Sequence, residues 1–283
     1  QPVRLCYHLL SSPRDSSVSL EYLDDVAVHY ADGTLMLEQC KSALAHNPIS
    51  DWSDDLWKTV ANWLNVVETQ TVDGEKTSFQ LYVTPPKPGK LSAAIHAAVD
   101  AKAVEALVTQ VQDKLKKGAD SPKCIAHVQK FLDTPAALRL AVVGKTTIYA
   151  TDADPLEPLR EILRPTVPEA SLDVICASAI GQAKEAADKC MRRRVPALVR
   201  VAEFRKNFHA FIQQNNMAGY LPTFTAAPSK DDAKAMLTSR PVFVRQLQPI
   251  EAPEEQQLRA ASDLMRTSGD KVKWADQGLV YDG

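Results

Sequence analysis

The sequence has no apolar run approaching the ~20 residues that a membrane-spanning helix requires. It also shows no basic-then-apolar leader of the kind that directs secretion. It has little net charge: 33 Lys and Arg against 35 Asp and Glu leave −2. No global basic field therefore advertises nucleic acid, and any DNA-binding surface must be a local patch. Cysteine is sparse. Cys6, Cys40, Cys124, Cys176 and Cys190 have neither CxxC spacing nor a pairing pattern, which fits a reducing cytosol. The six histidines lack metal-ligand spacing, and His46-Asn47 is too little for an HNH site. No Ser-His-Asp or Cys-His set and no cofactor box can be assembled. Gly144-Lys145-Thr146 is not a P-loop, because Arg139 stands where the upstream glycine belongs. Repeats and low-complexity stretches are missing too. The expectation is a cytoplasmic protein long enough to bury one large domain and a smaller one.

What is present is concentrated between Val18 and Ala43. Two extended runs, Val18 to Tyr30 and Thr34 to Lys41, are joined at Asp32-Gly33, a strong hairpin signal. The first run carries Glu21, Asp24 and Asp25; the second ends in Glu38-Gln39-Cys40-Lys41. Alternation places Leu37, Gln39 and Lys41 on one face and Met36, Glu38 and Cys40 on the other. Carboxylates facing a polar-x-Lys across a hairpin can hold a divalent metal beside an ammonium group. Phosphodiester hydrolysis uses that arrangement, the metal neutralising the phosphate and sharpening a water. An amphipathic hairpin wearing the same residues on a wet face for solubility is the competing reading. Two features count against it: Lys41 follows Leu35-Met36-Leu37, which reads as buried, and polar groups at the end of a core strand need partners.

Elsewhere the pattern is mostly helical. Gln1 to Leu10 reads as the end of a helix, with Val3, Cys6, Tyr7 and Leu10 on one face, as if the sequence had been trimmed before Gln1. Leu56, Trp57, Val60, Trp63, Leu64 and Val67 recur at helical spacing, capped by Ser50-Asp51 or Ser53-Asp54. That spacing makes Trp57 and Trp63 core residues rather than stacking platforms for bases. Lys58 is the exposed exception and can touch a phosphate. Phe79 to Thr84 is a strand, Lys90 to Lys117 a helix, Leu138 to Thr151 a hairpin turning at Gly144-Lys145, and Pro155 to Leu163 a short helix. Leu172 to Val195 is helical and ends in Arg192-Arg193-Arg194, the densest basic run, which either tracks phosphates or pairs with nearby acids. Lys114, Lys116 and Lys117 either contact DNA backbone or form an ordinary solvated helix end. Pro196 to Phe211 and Leu258 to Ala275 read as helices, with a loop-rich stretch between Asn215 and Gln248.

The run SLEYLDDVAVHYADGTLMLEQCKSA, followed by NPISDWSDDLWKTVANWL, resembles the double-stranded DNA endonuclease domain of bacterial anti-phage systems. That domain belongs to the PD-(D/E)xK, restriction-endonuclease-like superfamily. It occurs in CD-NTase-associated effectors and in the nuclease subunit of Lamassu and related ABC-three-component systems. The resemblance covers Gln1 to about Val83 and returns at DLMRTSGDKVKWADQGLV. It implies an α/β fold, a restriction-endonuclease-like mixed sheet flanked by helices, followed by a small, mainly helical C-terminal region. It implies a nuclease domain over 1–206 and a partner-binding or oligomerisation region over 207–283. The metal aspartate falls at Asp25, Gln39 replaces the usual acid, and Lys41 is the catalytic lysine. A glutamine of the first helix lies near the active site, and Gln1 stands there; the acidic residue that helix can contribute is missing here.

The implied activity is Mg2+- or Mn2+-dependent cleavage of double-stranded DNA in the bacterial cytoplasm. Implied partners are an SMC-like ATPase, a small accessory subunit and further copies of the chain. Geometry ranks the acids. Glu21 and Asp25 share a strand face, but a straight strand separates them by about 13 Å, so one ion takes both only if the strand bends. Asp25, opposite the better end of the partner strand and where the resemblance places the metal aspartate, ranks first, Glu21 second as metal ligand and catalytic residue, and Asp24, pointing the other way, third. An amide oxygen at Gln39 ligates Mg2+ without adding charge. The alternative is a catalytically inactive nuclease fold serving as a DNA-binding or assembly module.

Overall fold

The computed structural model describes residues 1–118, 121–220, 223–239, 242–247 and 252–276. Helix α1 (Pro2–Ser11) starts on a proline, whose missing N–H costs nothing in a first turn. Strands β1 (Ser17–Leu20), β2 (Val26–His29) and β3 (Leu35–Ser42) follow, then α2 (Asp54–Glu68) and β4 (Thr77–Thr84). Next come α3 (Lys90–Ala97), α4 (Ala101–Lys117), α5 (Ile125–Asp133), α6 (Ala136–Val143), β5 (Thr146–Tyr149), α7 (Glu157–Leu163), α8 (Glu169–Arg192) and β6 (Leu198–Arg200). The chain ends in α9 (Val201–Tyr220), α10 (Lys230–Thr238), α11 (Val242–Leu247) and α12 (Glu254–Asp276). No helix among the described residues is long and apolar enough to cross a membrane.

The fold is α/β: one mixed six-stranded sheet, ordered β5-β4-β3-β2-β1-β6, flanked by helices. β6, β1, β2 and β3 pair antiparallel, while β3-β4 and β4-β5 are parallel. The Asp32-Gly33 turn forms as expected. Gly33 N–H donates to Tyr30 O at 3.1 Å, Tyr30 N–H to Thr34 O at 3.0 Å, and Gly33 adopts φ +82°, which glycine alone reaches without a Cβ clash. On one face of the sheet, Ala27, Leu37, Phe79, Leu81 and Val83 pack against Trp57, Val60 and Leu64 of α2 and Phe131 of α5. Trp57 and Trp63 are buried, as their spacing predicts.

Four expectations are corrected. Val18 to Tyr30 is not one extended run: it breaks at Glu21–Asp25 into β1 and β2, which pair with each other through Leu20↔Val26. Leu138 to Thr151 is not a hairpin, because its first arm lies in α6 and only the second is a strand, parallel to β4. Lys90 to Lys117 is two helices; Asp100 caps the second, its side chain accepting from Ala103 N–H at 2.8 Å. Pro196 to Phe211 begins with β6, because Leu198–Arg200 add to the free edge of β1.

The chain divides into two compact units, Gln1–Ala210 and Phe211–Gly283. In the second, α10 opens with a Ser229–Asp232 capping box and packs on α12. Buried Asp270 of α12 accepts from Phe224 N–H at 2.8 Å and Thr225 N–H at 2.7 Å. The part of the C-terminal resemblance at 277–280 lies outside the described residues.

Candidate functional site

The start of α1 and strands β2 and β3 bring Gln1, Asp25 and Gln39 together. Val26 pairs with Glu38, so Asp25, one step before β2, stands beside Gln39 at the end of the ladder. Its carboxylate accepts from Cys40 N–H at 2.8 Å, from the Gln39 side-chain amide, and from Gln1 Nε2 at 2.7 Å. All three donors are amide N–H groups, and among the described residues no lysine or arginine pairs with this carboxylate. Gln1 reaches Asp25 from the start of α1.

The break between β1 and β2 changes the geometry of the acids. Glu21 has φ +51°, a left-handed conformation unusual for a residue with a Cβ, and its N–H donates to Asp25 O at 3.1 Å, closing the turn. Its exposed side chain is on the rim of a cleft of about 500 Å3 that Asp25 and Gln39 also line. Asp24 is turned into the protein. Trp63 Nε1 donates to its Oδ2 at 2.6 Å and Asp25 N–H to its Oδ1 at 2.8 Å. Burial pushes the Asp24 carboxyl up to about 6. The Trp63 and backbone hydrogen bonds oppose that shift, and the charges of Asp25 and Glu38 add to it.

Lys41 extends from the same face of β3 as Gln39, two residues along. Its ammonium is 3.0 Å from Asp55 Oδ1, and His46 Nε2 is 2.6 Å from the other carboxylate oxygen. Partial burial works to raise Asp55; the hydrogen bonds from His46 and Lys41 outweigh it and leave the carboxyl below its usual range. The lysine is thus close to the metal candidates in sequence and face, with its charge engaged by the first turn of α2.

The other face of β3 carries a second polar cluster. Glu38, completely buried, accepts from Arg4 Nε at 2.8 Å, Arg4 Nη2 at 2.6 Å and Gln80 Nε2 at 2.6 Å, with His8 Nε2 at 3.1 Å. Tyr7 and Tyr82 sandwich the Arg4 guanidinium, their ring centroids 4.2 and 4.1 Å away. Burial alone would raise the Glu38 carboxyl; its bonds to Arg4 and His8 prevail and hold it well below the ordinary range.

Among the described residues no group of three or more His, Cys, Asp or Glu is placed to hold a metal ion. The donor set at Asp25 is one carboxylate plus the Gln39 amide, whose oxygen faces the carboxylate after a rotation of about 180° about its terminal torsion. That set fits Mg2+, which keeps several waters and is commonly bound by one or two carboxylates together with substrate phosphate. Among the other predicted residues, Lys58 is exposed on α2, Arg192 pairs with Glu185 at 2.7 Å, and Arg193 and Arg194 are exposed beyond α8. Lys114 is paired with Asp51, whose carboxylate also accepts from Lys90 N–H and Leu91 N–H, a structural use.

Sequence reasoning missed Asp55, the Trp63–Asp24 bond and the Arg4–Glu38 cluster. A signal for the last was available: Arg4 and His8, four apart, are polar on an otherwise apolar helix, and Glu38 interrupts a buried strand. Comparison with protein-family models, with curated proteins and with solved structures finds no match.

Proposed function

We propose that the chain is a metal-dependent DNA endonuclease, the effector subunit of a bacterial anti-phage defence complex. The observation that supports it most is the meeting of Asp25 with Gln39 at the end of the β2-β3 ladder, Lys41 lying two residues along the same face. Asp25 and Gln39 would hold Mg2+. When bound, the ion neutralises the scissile phosphate and activates a water. Lys41 exchanges Asp55 for a phosphate oxygen or the attacking water and supplies positive charge where negative charge develops. Gln1 and Cys40 N–H keep the Asp25 carboxylate aimed.

The test is plasmid cleavage in Mg2+. Lys41→Ala is expected to lower the rate by about 10³-fold or more while leaving the thermal midpoint nearly unchanged, since one preorganised charge is worth that much. Asp25→Asn is expected to reduce metal affinity and turnover together, and Glu21→Gln to do less. A Lys41→Ala protein that still degrades plasmid at the wild-type rate would remove the assignment. Calorimetry showing Glu21→Gln to be the more damaging change would transfer the metal to the cleft rim.

A second reading, a nuclease fold serving for assembly or DNA binding without catalysis, is favoured by the engagement of Lys41 with Asp55 and by the small ligand set. Wild-type protein that binds DNA and never cuts it would select this reading. Control in either case is assigned to company: an SMC-like ATPase and an accessory subunit bound through the region from 207 onward, and homo-oligomers as the active form, where multivalency offsets weak DNA affinity. Specific activity measured over a dilution series, with light scattering alongside, should rise with oligomer fraction and fall when the partners are added.

A further inference from the structure

The cleft beside Asp25 has a chemistry of its own. One wall is the Glu21–Asp24 turn and the other is the exposed side of α2. Its carboxylates, Glu21, Asp24 and Asp25, are accompanied by no lysine or arginine, so it repels a phosphate. What remains suits a flat, neutral heterocycle. Leu23 and Val66 supply apolar surface, and Tyr22, 52% exposed, offers a free ring at the mouth. Asn62 and Asn65, three apart on α2, present side-chain amides with no hydrogen-bond partner among the described residues. An amide offers both donor and acceptor, the combination that reads a base edge. The volume, about 500 Å3, is in the range of small-ligand pockets. The walls are braced, because Trp63 on α2 bonds Asp24 on the turn at 2.6 Å and the turn is closed on Asp25.

We infer that this cleft takes an unpaired nucleobase adjoining the scissile phosphate, Tyr22 stacking on it and Asn62 and Asn65 hydrogen-bonding its edge. The inference rests on the nuclease reading for the position of the phosphate, which stays on the Gln39–Lys41 side where the cation and ammonium are. A base seated in a concave cleft cannot be paired. The preferred substrate therefore carries a single-stranded, frayed or extruded nucleotide at the cut, and a continuous duplex must give up a base pair to enter.

The experiment measures binding apart from cleavage. The full chain in EDTA is titrated into a fluorescein-labelled 12-nucleotide strand and into the blunt duplex of the same sequence, with anisotropy as readout. The wild-type protein is expected to bind the single strand more tightly. Tyr22→Ala, and Asn62→Ala with Asn65→Ala, should reduce the single-strand to duplex affinity ratio about fivefold or more, as loss of one stacked base does. Tyr22→Phe should restore most of the ratio, since the ring and not the hydroxyl does the stacking. A parallel cleavage assay in Mg2+ keeps the two readings apart. Loss of the ratio in the variants, with no cutting by wild-type protein at any point of the dilution series, supports the base cleft and overturns the nuclease. Normal cutting with a ratio unchanged by Tyr22→Ala and the double asparagine variant keeps the nuclease and overturns the cleft. A wild-type protein that binds neither DNA, or prefers the duplex, overturns the cleft as well.

Discussion

Glu38 and Gln39 are neighbours in the chain, and the pleat sends them to opposite faces of one strand. On the Glu38 side a carboxylate is sealed from water and surrounded by Arg4, His8 and Gln80. On the Gln39 side the Asp25 carboxylate is half-buried and bonded to an amide, a backbone N–H and Gln1, none of them charged. The difference follows from solvent. A buried ion must find its counter-charge within the protein or lose several kcal/mol. An ion beside an open cleft is stabilised by water and can keep its charge for a ligand. The first face is therefore built for folding, and the second has spare electrostatic capacity, which a binding site requires.

The largest expected effect breaks the sealed side. Glu38→Ala leaves Arg4 buried without its carboxylate and should cost about 3–5 kcal/mol in urea unfolding, enough to unfold a marginal domain. Asp25→Asn, on the cleft side, should cost much less. Equal losses would mean that Asp25 is as structural as Glu38 and that the two faces do not differ in kind. The pH response of Glu38 follows from its lowered carboxyl: the folded protein holds the charged form, so stability is present above the ordinary carboxylate range and is lost as pH falls below it.

Asp24 responds in the opposite sense, which sharpens the contrast. Its carboxyl is raised from 3.8 to about 6, so between those values the folded state keeps a proton that the unfolded chain has released. The associated stability is present below about pH 4 and is lost as pH rises through about 6. Urea midpoints should therefore rise on acidification from pH 7 to 4.5, by roughly 2 kcal/mol from this group, and Asp24→Asn should flatten that rise. Trp63→Phe deletes a donor that favours the charged carboxylate, so the same step should move to higher pH. An Asp24→Asn midpoint that changes with pH just as the wild-type midpoint does would show that Asp24 is charged in the fold.

How legible these elements were depended on the range of the interaction. The Asp32-Gly33 turn, the alternation along Leu35 to Lys41 and the helical spacing of Trp57 and Trp63 are local patterns, and each forms as its pattern predicts. The Asp25–Gln39 meeting was legible because the turn fixes the register between its strands. The break at Glu21–Asp25 was not, because no glycine or proline marks it and Glu21 takes the positive φ itself. Leu138 to Val143 is apolar except for Arg139 and only six residues long, so periodicity does not separate strand from helix there. β6 exists only because β1 offers an edge nearly 180 residues away in sequence, and the Arg4–Glu38 pair spans 34. Polar residues in apolar runs mark Arg4 and Glu38 as needing partners, but at such distances no local pattern says which partners.

The smallest expected effect concerns Lys41 and Asp55. Both side chains are partly exposed, 22% and 29%, so the pair sits between the sealed cluster and free solvent. Water screens it, and holding a lysine in one rotamer costs entropy; pairs of this kind couple by about 0.2–1 kcal/mol. A double-mutant cycle of Lys41→Ala and Asp55→Ala, measured by urea unfolding, should give a coupling in that range, and 1 M NaCl should largely remove it. The size bears directly on function. A weakly held ammonium can leave Asp55 for a phosphate at little expense, whereas one bound as tightly as Arg4 is to Glu38 cannot. A coupling above about 2 kcal/mol, indifferent to salt, would place Lys41 with the structural cluster and take it out of the proposed reaction.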